Sequence, residues 1–297
     1  MPIILSLIAL MIGGAITSTH ANEMPPMPGN RYNIGSHRLH INCMGEGSPT
    51  VIIDTGLGDD SSDWQTILQQ SAPITKTCIY DRSGYGWSDY GPRPRNSRRI
   101  AYELGLLLDE ANISPPYILV GHSFGGFNLR LFAASHPDDI AGLILVESSH
   151  ELQYERLNIK LPLPYKGRRN IVIVAKETEN TADSNKPQIL RDHAYRTAGE
   201  EIAALYQSAR QVQLYGKIPT VPLMVISRGK AEWSGDINAQ HRERIWIELQ
   251  QDLMRLSPLS QHIVANNSGH DIPRQQPEII IEAILQVTRL ARAVSLP

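Results

Sequence analysis

From residue 39 onward the chain alternates short apolar runs rich in β-branched residues with longer stretches in which apolar positions recur at helical spacing. The short runs predict strands over residues 39–43, 50–54, 78–80, 117–121, 142–146, 222–227 and 263–265. The helical period falls on residues 98–112, 124–135, 237–256 and 277–293. Strands and helices in alternation predict a mainly parallel sheet covered by helices on both faces. No internal repeat interrupts the pattern.

Two stretches depart from it. Residues 150–218 separate two strand candidates by far more chain than a compact α/β connection needs. They open on Leu161-Pro162-Leu163-Pro164, run through a polar tract and end in a helical stretch over residues 200–215, so they are read as an insertion that caps a site at the sheet edge. The other departure is the N-terminus, where residues 3–12 are almost wholly apolar and lead through Gly13 and Gly14 to Thr19-His20-Ala21. That layout predicts a signal peptide over residues 1–21, removed near Ala21, and hence an exported protein, periplasmic or secreted. The rival, an uncleaved anchor, meets an apolar run well short of the roughly 20 residues that span a bilayer. No stable membrane span is expected after cleavage, and the Pro-rich residues 23–30 form a leader to a domain over residues 31–297.

Composition narrows the function classes. The 297 residues are 41% hydrophobic and 20% charged with a formal net charge of −2, which suits a globular protein and gives no electrostatic reason to expect nucleic acid. Arg93, Arg95, Arg98 and Arg99 cluster, and are read as a solvated helix entrance.

The chemistry concentrates in Gly121-His122-Ser123-Phe124-Gly125-Gly126, a G-x-S-x-G pattern between a predicted strand and a predicted helix. A turn this sharp strains the serine and presses helix against strand, so residues without a Cβ are needed on either side. An isolated hydroxyl is a weak nucleophile and needs a base. Of the ten histidines, His270 follows the last predicted strand through Asn266-Asn267-Ser268-Gly269, at the edge where Ser123 should emerge; His262 lies at that strand's start. Three carboxylates satisfy the demand for a group to hold the histidine tautomer. Glu147, ending the strand after the nucleophile helix, is preferred, with Glu232 and Asp236 after the next strand as rivals. Oxyanion donors are expected from the backbone N–H groups of Phe124, at the helix start, and Leu57, in the turn Asp54-Thr55-Gly56-Leu57-Gly58.

These segments, together with Gly45-Glu46-Gly47-Ser48-Pro49-Thr50-Val51, the run from Tyr80-Asp81-Arg82-Ser83 to Trp87-Ser88-Asp89, and Ser268-Gly269-His270, resemble the α/β-hydrolase superfamily, in particular a branch of small bacterial serine hydrolases. The resemblance covers residues 39–285. It implies an α/β-hydrolase fold with an eight-stranded, mostly parallel sheet and a cap within residues 150–218. The usual Gly-x-x-Asp after the seventh strand appears here as Gly229-Lys230-Ala231-Glu232, a departure that keeps the identity of the acid open. Asp81 and Arg82 are read as a structural ion pair and loop clamp, and Trp87 as a candidate pocket wall. The chain has two cysteines, Cys43 and Cys78, an even count that suits a disulfide in an exported protein. The resemblance places them on neighbouring strands.

The expected activity is hydrolysis of a carboxylic ester or related small acyl substrate through an acyl-enzyme, with no metal and no organic cofactor. Two alternatives share the site: an aminopeptidase whose substrate amine is met by Glu200 and Glu201, and a binding or receptor module with negligible turnover. Dehalogenases and epoxide hydrolases of this fold need Asp at the elbow, where this chain has Ser123.

Overall fold

The computed structural model describes residues 26–160, 188–234 and 237–294. The signal-peptide segment, much of the insertion and Asp236 lie outside the described residues.

The chain forms an eight-stranded sheet of β1 (Asn30–Asn33), β2 (Arg38–Met44), β3 (Thr50–Asp54), β4 (Thr77–Tyr80), β5 (Tyr117–His122), β6 (Ile140–Val146), β7 (Leu223–Arg228) and β8 (Ser260–Ala265). Their spatial order is β1-β2-β4-β3-β5-β6-β7-β8. β1 and β2 pair antiparallel, as do β2 and β4, and every other pairing is parallel. The helices are α1 (Gln65–Ser71), α2 (Ser97–Glu110), α3 (Phe124–Ser135), α4 (Gln153–Arg156), α5 (Gln188–Ala203), α6 (Leu205–Tyr215), α7 (Ala239–Leu253), α8 (Ile272–Gln275) and α9 (Pro277–Val294).

The central strands β3, β5 and β6 are buried on both faces, and their side chains divide between two cores by the period-2 pleat. Ile52, Leu119, Leu143 and Leu145 join one core with α2, α3 and α6, while Val51, Ile53, Ile118, Val120, Ile144 and Val146 join the other with α1 and α9. Helix α9 presents Ile280, Ala283, Ile284, Val287 and Ala291 to that second core, a spacing that keeps them on one face. Each fully buried Ile, Leu or Val among them stabilises the fold by roughly 1.5–3 kcal/mol relative to exposure.

The apolar pattern did not predict β1, whose residues are largely polar, nor α1, α4 and α8, which are too short to show a period, nor the part of α5 before residue 200. The predicted helix over residues 200–215 is divided at Ala204 into α5 and α6. Helix α6 closes the start of α2: Ser208 Oγ accepts the Ser97 N–H at 3.0 Å and Gln211 Oε1 accepts the Arg98 N–H at 3.0 Å. The arginine cluster is only partly solvated. Arg95 is buried and pairs through both terminal nitrogens with Glu103, at 2.7 and 2.8 Å.

Cys43 and Cys78 are register partners across β2 and β4 and form a disulfide, with Cα atoms 4.0 Å apart. The bridge ties the antiparallel edge to the parallel sheet across a sequence separation of 35 residues. Closing a loop of that length removes about 3–4 kcal/mol of chain entropy from the unfolded state. Replacing both cysteines by alanine is expected to lower the free energy of chemical unfolding by about 2–4 kcal/mol. Unchanged unfolding midpoints in the double variant would show that the bridge contributes nothing.

Candidate active site

The site grows from the ends of β5, β6 and β8. After the buried β5 the chain turns at Ser123, with φ 50° and ψ −118°, directly into α3. The close approach explains the following glycine: a Cβ on Gly125 would stand 2.2 Å from the Asp54 carbonyl oxygen. The turn is fixed to β6 by Ser123 N–H donating to the Val146 carbonyl at 3.1 Å, and by Ser149 N–H donating to the Ser123 carbonyl at 3.0 Å. A strained residue held from both sides keeps its hydroxyl in one place.

His270 lies in the loop between β8 and α8. Its Nε2 is 3.0 Å from Ser123 Oγ, and its Nδ1 is 3.1 Å from Glu147 Oε2. The backbone of His270 is held at both ends. Its N–H donates to Glu232 Oε1 at 2.8 Å, and its carbonyl lies 3.0 Å from His122 Nε2. Of the two candidate carboxylates among the described residues, Glu147 is the one at the ring nitrogen facing away from Ser123. Glu232 touches the backbone instead, and Asp236 is outside the described residues. His262, by contrast, points to Ser227, with Nε2 2.8 Å from Oγ.

Glu147 follows β6 with φ 43°, its N–H donating to the Ile226 carbonyl at 2.7 Å. Its carboxylate has no exposed surface. Oε1 accepts the Arg228 backbone N–H at 2.9 Å, Oε2 accepts Arg228 NH1 at 2.8 Å, and Trp246 Nε1 reaches both oxygens at 3.0 and 3.1 Å. Burial pushes the Glu147 carboxyl up, but the hydrogen bond and charge of His270, with the charge and N–H of Arg228, outweigh it and hold it at about 2. Arg228 and Trp246 were not singled out by sequence. Arg228 ends a strand, a place of some promise, whereas nothing local to α7 distinguishes Trp246.

Phe124 begins α3, where helix geometry leaves its N–H without an intrahelical acceptor. Leu57 lies in the loop after β3, and that loop is gripped by Arg82. NH1 of Arg82 donates to Asp54 Oδ1 at 2.8 Å and to the Thr55 carbonyl at 2.7 Å, and NH2 donates to the Gly56 carbonyl at 3.0 Å. Glu201 of α5 completes the clamp, with Oε1 2.8 Å from Arg82 Nε and Oε2 accepting the Tyr85 hydroxyl at 2.9 Å. Arg82 thus pairs with Asp54 and Glu201, while Asp81 pairs with His40 at 2.8 Å and accepts the N–H groups of Ser61 and Trp87. Trp87 packs beside the His40 ring. Both carboxylates considered for an amine subsite are engaged: Glu201 as above, and Glu200 with Arg93 and Arg196. Among the described residues no group of His, Cys, Asp and Glu is arranged to hold a metal ion.

The comparisons agree with this architecture. Residues 49–220 match the family model described as the alpha/beta hydrolase fold, more than half of the chain. The chain belongs to the α/β-hydrolase family. It is 24% identical over 281 residues to an AB hydrolase superfamily protein of Gibberella zeae, covering 82% of this chain and 87% of that one. A shorter match, 34% over 138 residues, covers 44% of this chain and only 20% of the protein named Probable transporter efuK of Hormonema carpetanum. Among solved structures, a thermophilic esterase from Thermogutta terrifontis superposes with a TM-score of 0.63 at 20% identity, covering 88% of this chain and 98% of that one. Epoxide hydrolase CorEH superposes with a TM-score of 0.61 at 17% identity, covering 87% and 97%. At these identities the likeness to solved structures is one of fold.

His122, beside the elbow, gives the site a pH dependence of its own. Burial, then the charge of His270, hold its imidazole at about 3, far below the ordinary value near 6.5. Between those values the unfolded chain binds more protons than the native one, so stability is full above about pH 6.5 and falls on acidification, by at most about 1.4 kcal/mol per pH unit. His122→Gln is expected to lose about 1–2 kcal/mol less than wild type when chemical unfolding is compared at pH 7 and pH 5. Equal losses in the two proteins would contradict a neutral, buried His122.

Proposed function

We propose that the protein is a serine hydrolase that cleaves a carboxylic ester or related acyl substrate through an acyl-enzyme. The observation that carries this reading is the continuous contact from Ser123 Oγ through the His270 ring to Glu147, at 3.0 and 3.1 Å. In this mechanism Ser123 Oγ attacks the acyl carbon while its proton passes to His270 Nε2. The carbonyl oxygen gains the negative charge and is met by the N–H groups of Phe124 and Leu57. The tetrahedral species collapses as His270 returns the proton to the leaving oxygen, which leaves the acyl group on Ser123. Water then repeats both steps, losing a proton to His270, and releases the acid with Ser123 restored. Glu147 stays ionised throughout and stabilises the imidazolium.

Several observations weigh on the alternatives. A serine at the elbow disfavours the chemistry of dehalogenases and epoxide hydrolases of this fold. The aminopeptidase reading loses its amine subsite, because Glu201 is consumed by Arg82 and Tyr85 and Glu200 by two arginines. Export and a life in an oxidising compartment are supported by the Cys43–Cys78 bridge. No helix of the described residues is long and apolar enough to cross a membrane.

The decisive experiment pairs fluorophosphonate labelling with turnover of p-nitrophenyl esters of increasing chain length, in wild type, Ser123→Ala and Glu147→Gln, each first shown to be folded. Ser123→Ala is expected to abolish both signals. Glu147→Gln keeps the shape but loses the charge that favours imidazolium, and should lower kcat by roughly two to four orders of magnitude. A wild type that neither labels nor turns over any ester would leave the binding-module reading in its place.

A further inference from the structure

The residue facing Glu147 from the end of β7 is a cation. Arg228 NH1 and His270 Nδ1 both contact Glu147 Oε2, at 2.8 and 3.1 Å. On its other side Arg228 NH2 donates to Glu243 Oε2 at 2.9 Å, and the guanidinium lies over the rings of Trp233 and Trp246, 4.9 and 5.1 Å from their centroids. Its side chain is 4% exposed. A charge so enclosed is poorly screened by solvent and acts strongly on its neighbours. The second oxygen of Glu243 accepts the N–H groups of Glu232 and Trp233, at 2.6 and 2.8 Å, so the same carboxylate fixes the loop that holds the His270 backbone.

We propose that Arg228 is a positioning residue that tunes the base: it shares the Glu147 carboxylate with the His270 ring and so limits how strongly that carboxylate favours a proton on the ring, while Glu243 offsets part of its charge. The inference rests on the reading of Ser123, His270 and Glu147 as a catalytic triad. Two demands meet in the arrangement. A carboxylate with no exposed surface needs donors and positive charge to offset its burial, and a carboxylate that served the imidazole alone would favour a proton on the ring more strongly. Arg228 meets the first demand and restrains the second.

Other titratable groups face His270 from three further elements. From α8, Arg274 meets Asp59 of the loop after β3 at 2.9 Å, Asp63 at 2.8 Å and Asp271, the residue next to the base, at 3.0 Å. From β5, His122 is neutral at working pH. From the loop after β7, Glu232 contacts the His270 backbone N–H. Glu147, Arg228 and Glu243 thus form a row of alternating charges leading away from the Nδ1 side of the ring. Removing the second or the third member should change protonation of the base in opposite senses, which a brace acting through shape alone would not do.

The test is the pH dependence of two rates, fluorophosphonate labelling of Ser123 and kcat/KM for p-nitrophenyl acetate, in wild type, Arg228→Gln, Arg228→Lys and Glu243→Gln. The acid limb reports protonation of the free enzyme's base. Arg228→Gln is expected to move it to higher pH by about one unit, Arg228→Lys to leave it near wild type, and Glu243→Gln, which keeps an acceptor for the loop, to move it to lower pH. An acid limb unmoved or lowered in Arg228→Gln, with only the maximal rate reduced, would reduce Arg228 to a structural brace and overturn the inference. Should Arg228→Gln not fold, Glu243→Gln decides alone: a downward shift supports the tuning and an unmoved limb overturns it. Ester turnover that persists in Ser123→Ala would instead overturn the triad reading itself, and the inference with it.

Discussion

A carboxylate with no exposed surface is the constraint around which this site is organised. Glu147 leaves β6 in a left-handed backbone conformation, which turns its side chain inward under the His270 ring. Burying that charge unpaired would cost several kcal/mol, and the structure offsets the cost with four donors from three places: the side chain and backbone of Arg228, the indole of Trp246 and the imidazole of His270. Each donor also acquires a fixed position by meeting it. The carboxylate therefore draws together the ends of β6 and β7, helix α7 and the loop after β8.

A second network does the same for the opposite side of Ser123. Arg82 grips three successive residues, Asp54 at the end of β3 and Thr55 and Gly56 in the loop after it, and Glu201 of α5 reaches down to neutralise it. Burial pushes the Asp54 carboxyl above its ordinary value, and the neighbouring guanidinium offsets only part of that. One consequence is that α5, although it belongs to the insertion between β6 and β7, is keyed by a buried ion pair into the loop that carries Leu57. The insertion and the proposed oxyanion donor are thereby mechanically connected. Its carboxylate is an internal strut, which is why it is unavailable to a substrate amine.

Much of this was legible in the chain. The β3 and α3 limits coincide with the apolar pattern because β3 is buried along its whole length and α3 from Phe124 to Ala133. Ser123 and His270 were legible because each lies in a short local motif at a strand end, and local motifs survive without knowledge of the fold. Glu147 was legible only as one of three carboxylates. Its position at the end of β6 is a sequence fact, but the contact that distinguishes it from Glu232 spans more than a hundred residues. Arg228 and Trp246 were beyond reach for the same reason, since their partner Glu147 lies 81 and 99 residues away, and Glu243 enters the row only through Arg228. The pairing of Arg82 with Asp54 and Glu201, in place of Asp81, likewise follows from where β3 and α5 come to rest.

The central claim is that Glu147, from the end of β6, holds the His270 ring, and that Glu232, from the usual position after β7, does not. Proton NMR of the folded protein tests it directly through the far-downfield Nδ1–H resonance of an imidazole bonded to a buried carboxylate. That resonance should be present in wild type and in Glu232→Gln and absent in Glu147→Gln. Its survival in Glu147→Gln together with its loss in Glu232→Gln would contradict the assignment and return the role to the loop after β7.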